Sequence, residues 1–379
     1  MRTLYLHKSI SCLRARPVWS LLLAMAASVG GVASPDQSDS TIDLLVPGSI
    51  QVHSTEEVMD FLRGHQYEWP LVSDTPTLIV PRIVTNDLPL NWEQGLDVSG
   101  RKSIFIRLLA PLVLIANEQI NADRTYILDA LASGHDVELR KSERYKMIVN
   151  SYRLPADTAP LKVLKRVDII PPAMAISQAI LESGWGTSRF AAEGNALYGE
   201  WVWGGGMEPM QRDTSLGDYG VRSFSSPLRS ALSYMKNLNT SHHYQAFRTA
   251  RMELRLLDQS LDACSLAAHL SAYAILDEEK YRGILCDLMI QNNLHLADSA
   301  VLAATPAVML DFQLPETLTN RPTPVTDTVT AKAKTDACTV LPRNASFPRE
   351  SFMALDPEIR RPGNQTLMNL VQHLAGESP

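Results

Sequence analysis

Apolar positions recur at steps of three and four from Ser99 to about residue 128. Ile104, Phe105, Leu108, Leu109, Leu112, Ala116 and Ile120 fall on one stripe, which predicts a long amphipathic helix with Pro111 as a candidate kink. Shorter helical stretches follow at about 140–152 and 160–167. Pro171-Pro172 then opens another helix, because proline is tolerated in a first turn. The run Ala173 to Leu181 is almost all small and apolar, so this helix is expected to be buried nearly all round, and Gly184 and Gly186 end it. From 187 to 224 the helical period is lost. Gly199 to Gly206, "GEWVWGGG", reads as a short strand with a flexible turn, and "DYGVRSF" at 218–224 as its partner. Ser226 caps the next helix and Pro227 takes its first position, with Leu228, Ala231, Leu232, Met235 and Leu238 on its buried face. Two further helices are predicted over 257–275 and 278–291. The pattern predicts a mainly α body interrupted by a small β-lobe, an α+β fold.

The flanks read differently. Prolines 47, 70, 76, 81 and 89 break residues 35–98 into an irregular arm packing on the main domain. Beyond about 312 the Thr/Pro-rich run "LPETLTNRPTPVTDTVTAKAKTD" cannot bury much and predicts a disordered tail. The chain therefore divides into 1–34, an arm over 35–98, a main domain over 99–300 and a tail over 301–379. Residues 1–34 carry Arg2, Lys8, Arg14 and Arg16 and no acid, then an apolar run from Val18 to Ala27, then small residues. That order is an export signal, which predicts location in the periplasm or cell envelope. If uncleaved it would be an anchor, the one expected contact with a membrane.

Composition, 45% hydrophobic and 20% charged, is that of a globular chain with a sizeable core. Removing four positive charges with the leader takes the formal charge from −6 to about −10, which argues against nucleic acid as a partner. Outside Cys12 in the leader, Cys264, Cys286 and Cys338 allow one disulfide and a spare thiol, with the pairing open. No CxxC, HExxH, phosphate loop or GxSxG elbow is present, so neither metal nor cofactor is expected. A monomer is expected.

Candidate chemistry gathers around "AILESGWG". Glu182 closes the apolar helix at its C-terminal end. Desolvation and the helix dipole there both disfavour a carboxylate, and a raised pKa keeps a general acid protonated at neutral pH. The competing role is a structural glutamate bonded to the following loop. Trp185, Asn195, Tyr198, Trp201 and Trp203 are candidate substrate contacts; for the rings the reason is that aromatic faces with polar neighbours suit sugars, while packing in the β-lobe is the bland alternative. His242-His243 has no partner at metal spacing.

The stretch "RVDIIPPAMAISQAILESGWGTSRFAAEGNALYGEW" closely resembles the core of bacterial peptidoglycan N-acetylglucosaminidases, most nearly their Bax-type branch. Ordered blocks carry the resemblance over about 80–297. They are Arg101 to Arg124, Glu182 to Trp201, Phe224 to Arg248 with Asn237, Asn239, Tyr244 and Phe247 in place, and Tyr273 to Leu294. The resemblance implies a lysozyme-like fold, Glu182 as catalytic acid and Tyr273 lining the site beside a water. It departs at the second acid: the family's β-lobe glutamate aligns with Gly220. Asp218 is the nearest substitute, with Glu200, Glu208 and Asp213 as alternatives. A carboxyl pair about 5–5.5 Å apart suits retention, and about 6.5–9.5 Å suits inversion. The implied function is an exported endo-β-N-acetylglucosaminidase cleaving β-1,4 bonds of peptidoglycan glycan strands. Two other readings stand beside it. A lytic transglycosylase working with one glutamate would leave 1,6-anhydro ends. A non-catalytic wall-binding protein on the same fold would release no glycan.

Overall fold

The computed structural model describes residues 48–69, 77–88, 96–209, 218–270 and 278–312. The export signal, Tyr273, Asp213, Cys338 and everything after Phe312 lie outside the described residues. The arm begins with strand β1 (Gly48–Val52) and helix α1 (Thr55–Gly64), followed by the short strands β2 (Ile79–Val80) and β3 (Ile83–Thr85). Helices α2 (Val98–Ala132), α3 (Asp136–Lys141), α4 (Glu143–Ser151) and α5 (Pro160–Arg166) lead to α6 (Pro172–Ser183) and α7 (Arg189–Gly194). Strands β4 (Trp201–Trp203) and β5 (Tyr219–Val221) form the β-lobe. Then come α8 (Pro227–Thr240), a 3-10 turn at His242–Tyr244, α9 (Gln245–Leu256), α10 (Ala263–Ala267), α11 (Glu278–Gln291) and α12 (His295–Asp298). Strands β6 (Val301–Leu302) and β7 (Val308–Phe312) close the described chain. The architecture is mainly α with a small β component.

Helix α2 is long and apolar enough to cross a membrane, but the fold buries most of it as the core helix of the body. Asp97 caps it by accepting from Gly100 N at 2.7 Å. It continues through Pro111 with no break in the helix. Against it pack α6 and α8. As its composition predicts, α6 is buried on every side from Pro172 to Ile180, and α10, α11 and α12 cover its other faces. Its first turn has no local side-chain cap. Instead Asp298 on α12 accepts from Ala173 N at 2.8 Å, and burial pushes the Asp298 carboxyl up to about 6.

The loop entering α6 is held by a buried ionic cluster. Asp168, 1% exposed, receives Arg255 through two hydrogen bonds of 2.9 and 3.1 Å, with Arg124 at 3.5 Å. Burial alone would raise the Asp168 carboxyl, yet Arg251, Arg124 and Arg255 together hold it below the usual range. Arg251 is wholly buried and donates to the carbonyls of Asp168 and Ile169 and to Asn239 Oδ1. Removing a single member would leave an uncompensated charge inside the protein.

The arm, the tail, the 257–275 helix and α9 differ from the sequence reading, and the disulfide left open there is now placed. The arm is not irregular: it carries α1 and three strands. The tail does not begin at 301, because β6 pairs with β2, and β7 lies between β1 and β3 in a parallel sheet of order β1-β7-β3. Gly48 and Ile83 both register with Val308. The helix expected over 257–275 is the five-residue α10 within the described part of that range, and an unexpected helix, α9, precedes it. The buried face of α9 combines Phe247 with the buried Arg248 and Arg251, and Ala250 and Leu254 pack partly against the core. Cys264 and Cys286 form a disulfide joining α10 to α11, with α-carbons 5.3 Å apart.

Candidate active site

Glu182 stands on the last turn of α6. Gly184 ends the helix in the left-handed region at φ 59°, followed by Trp185 at φ 60° and Gly186 at φ 75°. This tight reversal leaves the carboxyl against neighbouring side chains rather than out in solvent. Tyr281, on the first turns of α11, donates to Glu182 Oε1 at 3.0 Å. Behind it runs a directed chain: Tyr234 donates to Gln178 Oε1, and Gln178 Nε2 donates to Tyr281 at 3.0 Å. Every donor in the chain points toward the carboxyl. Burial pushes Glu182 up to about 8, against the smaller lowering effect of the Tyr281 hydrogen bond. Part of the residue's surface stays accessible, so the acid is desolvated without being sealed off. The second oxygen, Oε2, faces Gly199, where a β-carbon would stand 3.7 Å away.

The wall opposite is built by the residues after α7. Gly199 at φ 63° turns the chain into β4, which pairs antiparallel with β5: Trp201 with Val221, Val202 with Gly220, Trp203 with Tyr219. The rings of Trp201 and Trp203 both meet Tyr219, at 4.5 and 5.8 Å between centroids. Trp203 is 44% exposed, so this aromatic group presents a face to solvent. Gly220 is enclosed by backbone, because a β-carbon there would lie 2.5 Å from Gly205 O and 2.9 Å from Met207 O. No side chain fits at that position without moving the lobe.

The remaining sequence candidates are placed as follows. Asp218 is exposed at the entry to β5, and its carbonyl accepts from Gly204 N at 2.8 Å. Glu208 is exposed, its carbonyl accepting from Arg189. Glu200 lies between Gly199 and Trp201 and turns its carboxyl inward, where Ser233 on α8 donates to Oε2 at 2.8 Å. The ring of Trp185 packs edge-on to Phe105 at 6.0 Å with Lys102 5.0 Å above it, so it engages the start of α2. Two candidate contacts are corrected by burial. Asn195, 0% exposed, caps α7 in the left-handed region and turns its amide inward to Asp87 at 2.9 Å and to the Phe224 carbonyl, clipping the arm to the lobe. Tyr198, 1% exposed, stacks on Tyr234 at 4.0 Å and forms the wall behind the Gln178 chain. Among the described residues no cluster of His, Cys, Asp and Glu could hold a metal ion.

Gln178 and Tyr281 did not emerge from the sequence. Gln178 left a trace: with Ser177 it interrupts a mostly apolar run, and it lies four residues before Glu182 and hence on its face. Tyr281 fell inside the Tyr273 to Leu294 block of the resemblance without a role, since its partner lies 99 residues away.

Residues 159–294 match the glucosaminidase family described as mannosyl-glycoprotein endo-beta-N-acetylglucosaminidase. The matched span contains Glu182, Tyr281, Gln178 and the whole β-lobe. A relative, Protein bax of Escherichia coli (strain K12), is 31% identical over 182 residues, covering 46% of this chain and 64% of its own length. Residues 159–294 thus resemble a glucosaminidase domain, and part of the chain resembles Protein bax. The helical body with its small β-lobe agrees with the lysozyme-like fold of that family. No solved structure matches the chain. The chain spans 64% of the length of the curated relative it matches.

Proposed function

We propose that this chain is an exported endo-β-N-acetylglucosaminidase that hydrolyses β-1,4 glycosidic bonds in peptidoglycan. The carrying observation is the setting of Glu182: a carboxyl at a buried helix end, anchored on Oε1 by Tyr281 and raised to about 8 by burial. Such a group holds its proton at neutral pH and can deliver it from Oε2 to the leaving oxygen. Glycine at 199 leaves room beside Oε2 for a bulky glycan. The family match over 159–294 supports the glycan as substrate class. The solvent-facing ring of Trp203, backed by Tyr219, supports sugar stacking on the lobe. Export and a periplasmic or envelope location rest on the N-terminal charge and hydropathy pattern. Within this reading Tyr273 lines the cleft beside a water, as the resemblance implies, and Asp218 and Glu200 are the candidates for the second carboxyl.

The test is mass spectrometry of purified peptidoglycan digested with the full chain and with Glu182→Gln. Reducing N-acetylglucosamine ends are expected from wild type, and a loss of about 10²- to 10⁴-fold from the variant, the range of a general acid. Equal product from both would remove Glu182 from the chemistry. One observation favours a second reading. Gly220 cannot hold a carboxylate, and a transglycosylase needs only one acid, with the sugar's own hydroxyl closing the ring. Its mark would be 1,6-anhydro ends. Wall binding with no released glycan from wild type would instead support a binding protein on this fold.

A further inference from the structure

Three acids of the β-lobe are described, and one turns inward. Glu208 and Asp218 are exposed. Glu200 accepts Ser233 Oγ on Oε2, while its Oε1 has no hydrogen-bond partner among the described residues. A carboxyl oxygen without a donor from the protein is costly unless a water or ligand supplies one, and native proteins retain few such groups; Glu200 as a whole stays partly accessible. Three observations tie Glu200 to the acid already described. It follows Gly199, whose position abuts Glu182 Oε2, so the two acids flank one glycine. Its backbone is fixed, since Arg222 N donates to Glu200 O at 2.7 Å. Tyr244, 1% exposed, lies within electrostatic reach of both carboxyls: burial raises its hydroxyl pKa, and Glu200 and Glu182 raise it further. Across the strand pair, Gly220 is closed to any side chain.

We propose that Glu200 is the second catalytic carboxyl of this site, the base that takes the proton from the attacking water. This rests on the reading of Glu182 as general acid. In the step, a proton of water passes to the Glu200 carboxylate and the water oxygen bonds the anomeric carbon. The glycosidic carbon–oxygen bond breaks, and the leaving oxygen takes the proton of Glu182. Burial raises Glu200, and the Arg222 guanidinium and the Ser233 hydroxyl hold that rise back. That balance suits a base, because a carboxylate of higher pKa accepts a proton more strongly.

The experiment uses the full chain, purified peptidoglycan, and Glu200→Ala and Glu200→Gln with and without sodium azide. Azide attacks the anomeric carbon with no proton to lose, so it replaces water and base together. Both variants are expected to keep the wild-type circular dichroism spectrum and to lose about 10²- to 10⁴-fold in turnover. Azide is expected to restore Glu200→Ala at least about tenfold within that loss, with a glycosyl azide detected by mass spectrometry. Glu200→Gln keeps the Ser233 contact and guards against a folding defect. The assignment is overturned if Glu200→Gln stays close to wild type, if a folded Glu200→Ala forms no glycosyl azide, or if azide rescues Asp218→Ala instead. Anhydro ends from wild type would overturn the base while leaving Glu182 in place. An inactive wild type would remove the glycosidase reading itself, and this inference with it.

Discussion

Glu182 illustrates how one residue's surroundings decide its chemistry. Its carboxyl is raised to about 8 by burial, with the Tyr281 hydrogen bond as the opposing influence. A general acid works only while protonated, so the rate is expected to decline on the alkaline side with an apparent pKa near 8, well above the ordinary glutamate range. Tyr281→Phe removes the bond that favours the charged form, so the Glu182 pKa rises and the alkaline limb moves to higher pH. The same variant frees Oε1 and is expected to lower kcat about 10- to 100-fold, since a hydrogen bond to the carboxylate forming as the proton leaves is worth roughly 1.5–3 kcal/mol. A profile of kcat/KM between pH 5 and 10 measures both effects. A limb that stays in place or moves down would show that Tyr281 does not hold the acid. The position of Glu182 was legible in the sequence because helix end, apolar run and glycines are local features. Its partner was not, because α11 reaches it only through the packing of α6 against α11.

At the scale of elements, local signals carried far and long-range ones did not. Pro172 and Pro227 at helix starts, the Ser226 cap and the β4–β5 pair all follow from turn and cap chemistry readable within a few residues. Helix α9 escaped because its inward face uses arginines satisfied by carbonyls, as Arg248 is by Leu238 and Ser241. Its apolar stripe, Phe247, Ala250 and Leu254, is short and interleaved with these buried arginines. The β-lobe shows the converse: its strands were legible, but the reason for glycine at 220 was not. Position 220 lies under the backbone of Gly205, Gly206 and Met207, so Gly220→Ala brings a β-carbon to 2.5 Å from a carbonyl oxygen. A backbone contact of that kind has no flexible side chain to yield. The expected cost is about 1–3 kcal/mol, seen as a melting temperature several degrees lower, roughly 2–4 °C per kcal/mol in a chain of this size. An unchanged melting temperature would show that the turn at 204–206 shifts freely, and Gly220 would then lose its role as a closed position.

The whole molecule is organised by contacts between its sequence extremes. Strand β7 sits between β1 and β3, so the sheet joins residues near 50 to residues near 84 through residues near 310. Side chains reinforce the seam: Asn86 Oδ1 accepts from Phe312 N, Arg82 donates to Ala303 O, and Trp69 donates to the Asn292 carbonyl. Two- to five-residue parallel strands paired more than 200 positions apart leave no local period, which is why prolines in the arm and threonines after 312 dominated the reading of both flanks. The arm in turn reaches the site, since Asp87 receives the Asn195 amide and Leu88 packs near Gly186 beside the end of α6. A truncation separates the two descriptions of the C-terminal region. If the body ended at 300, a chain ending at Ala300 would match one ending at Phe312. With β7 central to the sheet, the shorter chain loses both ladders and uncovers the core residues beneath Leu310 and Phe312, which are 0% and 6% exposed. Full burial of each such side chain is worth about 1.5–3 kcal/mol, and unpaired strands add an aggregation-prone edge. The chain ending at Phe312 is therefore expected to melt within a few degrees of the full chain. The chain ending at Ala300 should melt at least about 10 °C lower or precipitate, a drop that follows from several kcal/mol at this size. Equal melting of the two truncations by calorimetry would put the domain boundary back at 300 and make the parallel sheet dispensable to the body that carries Glu182.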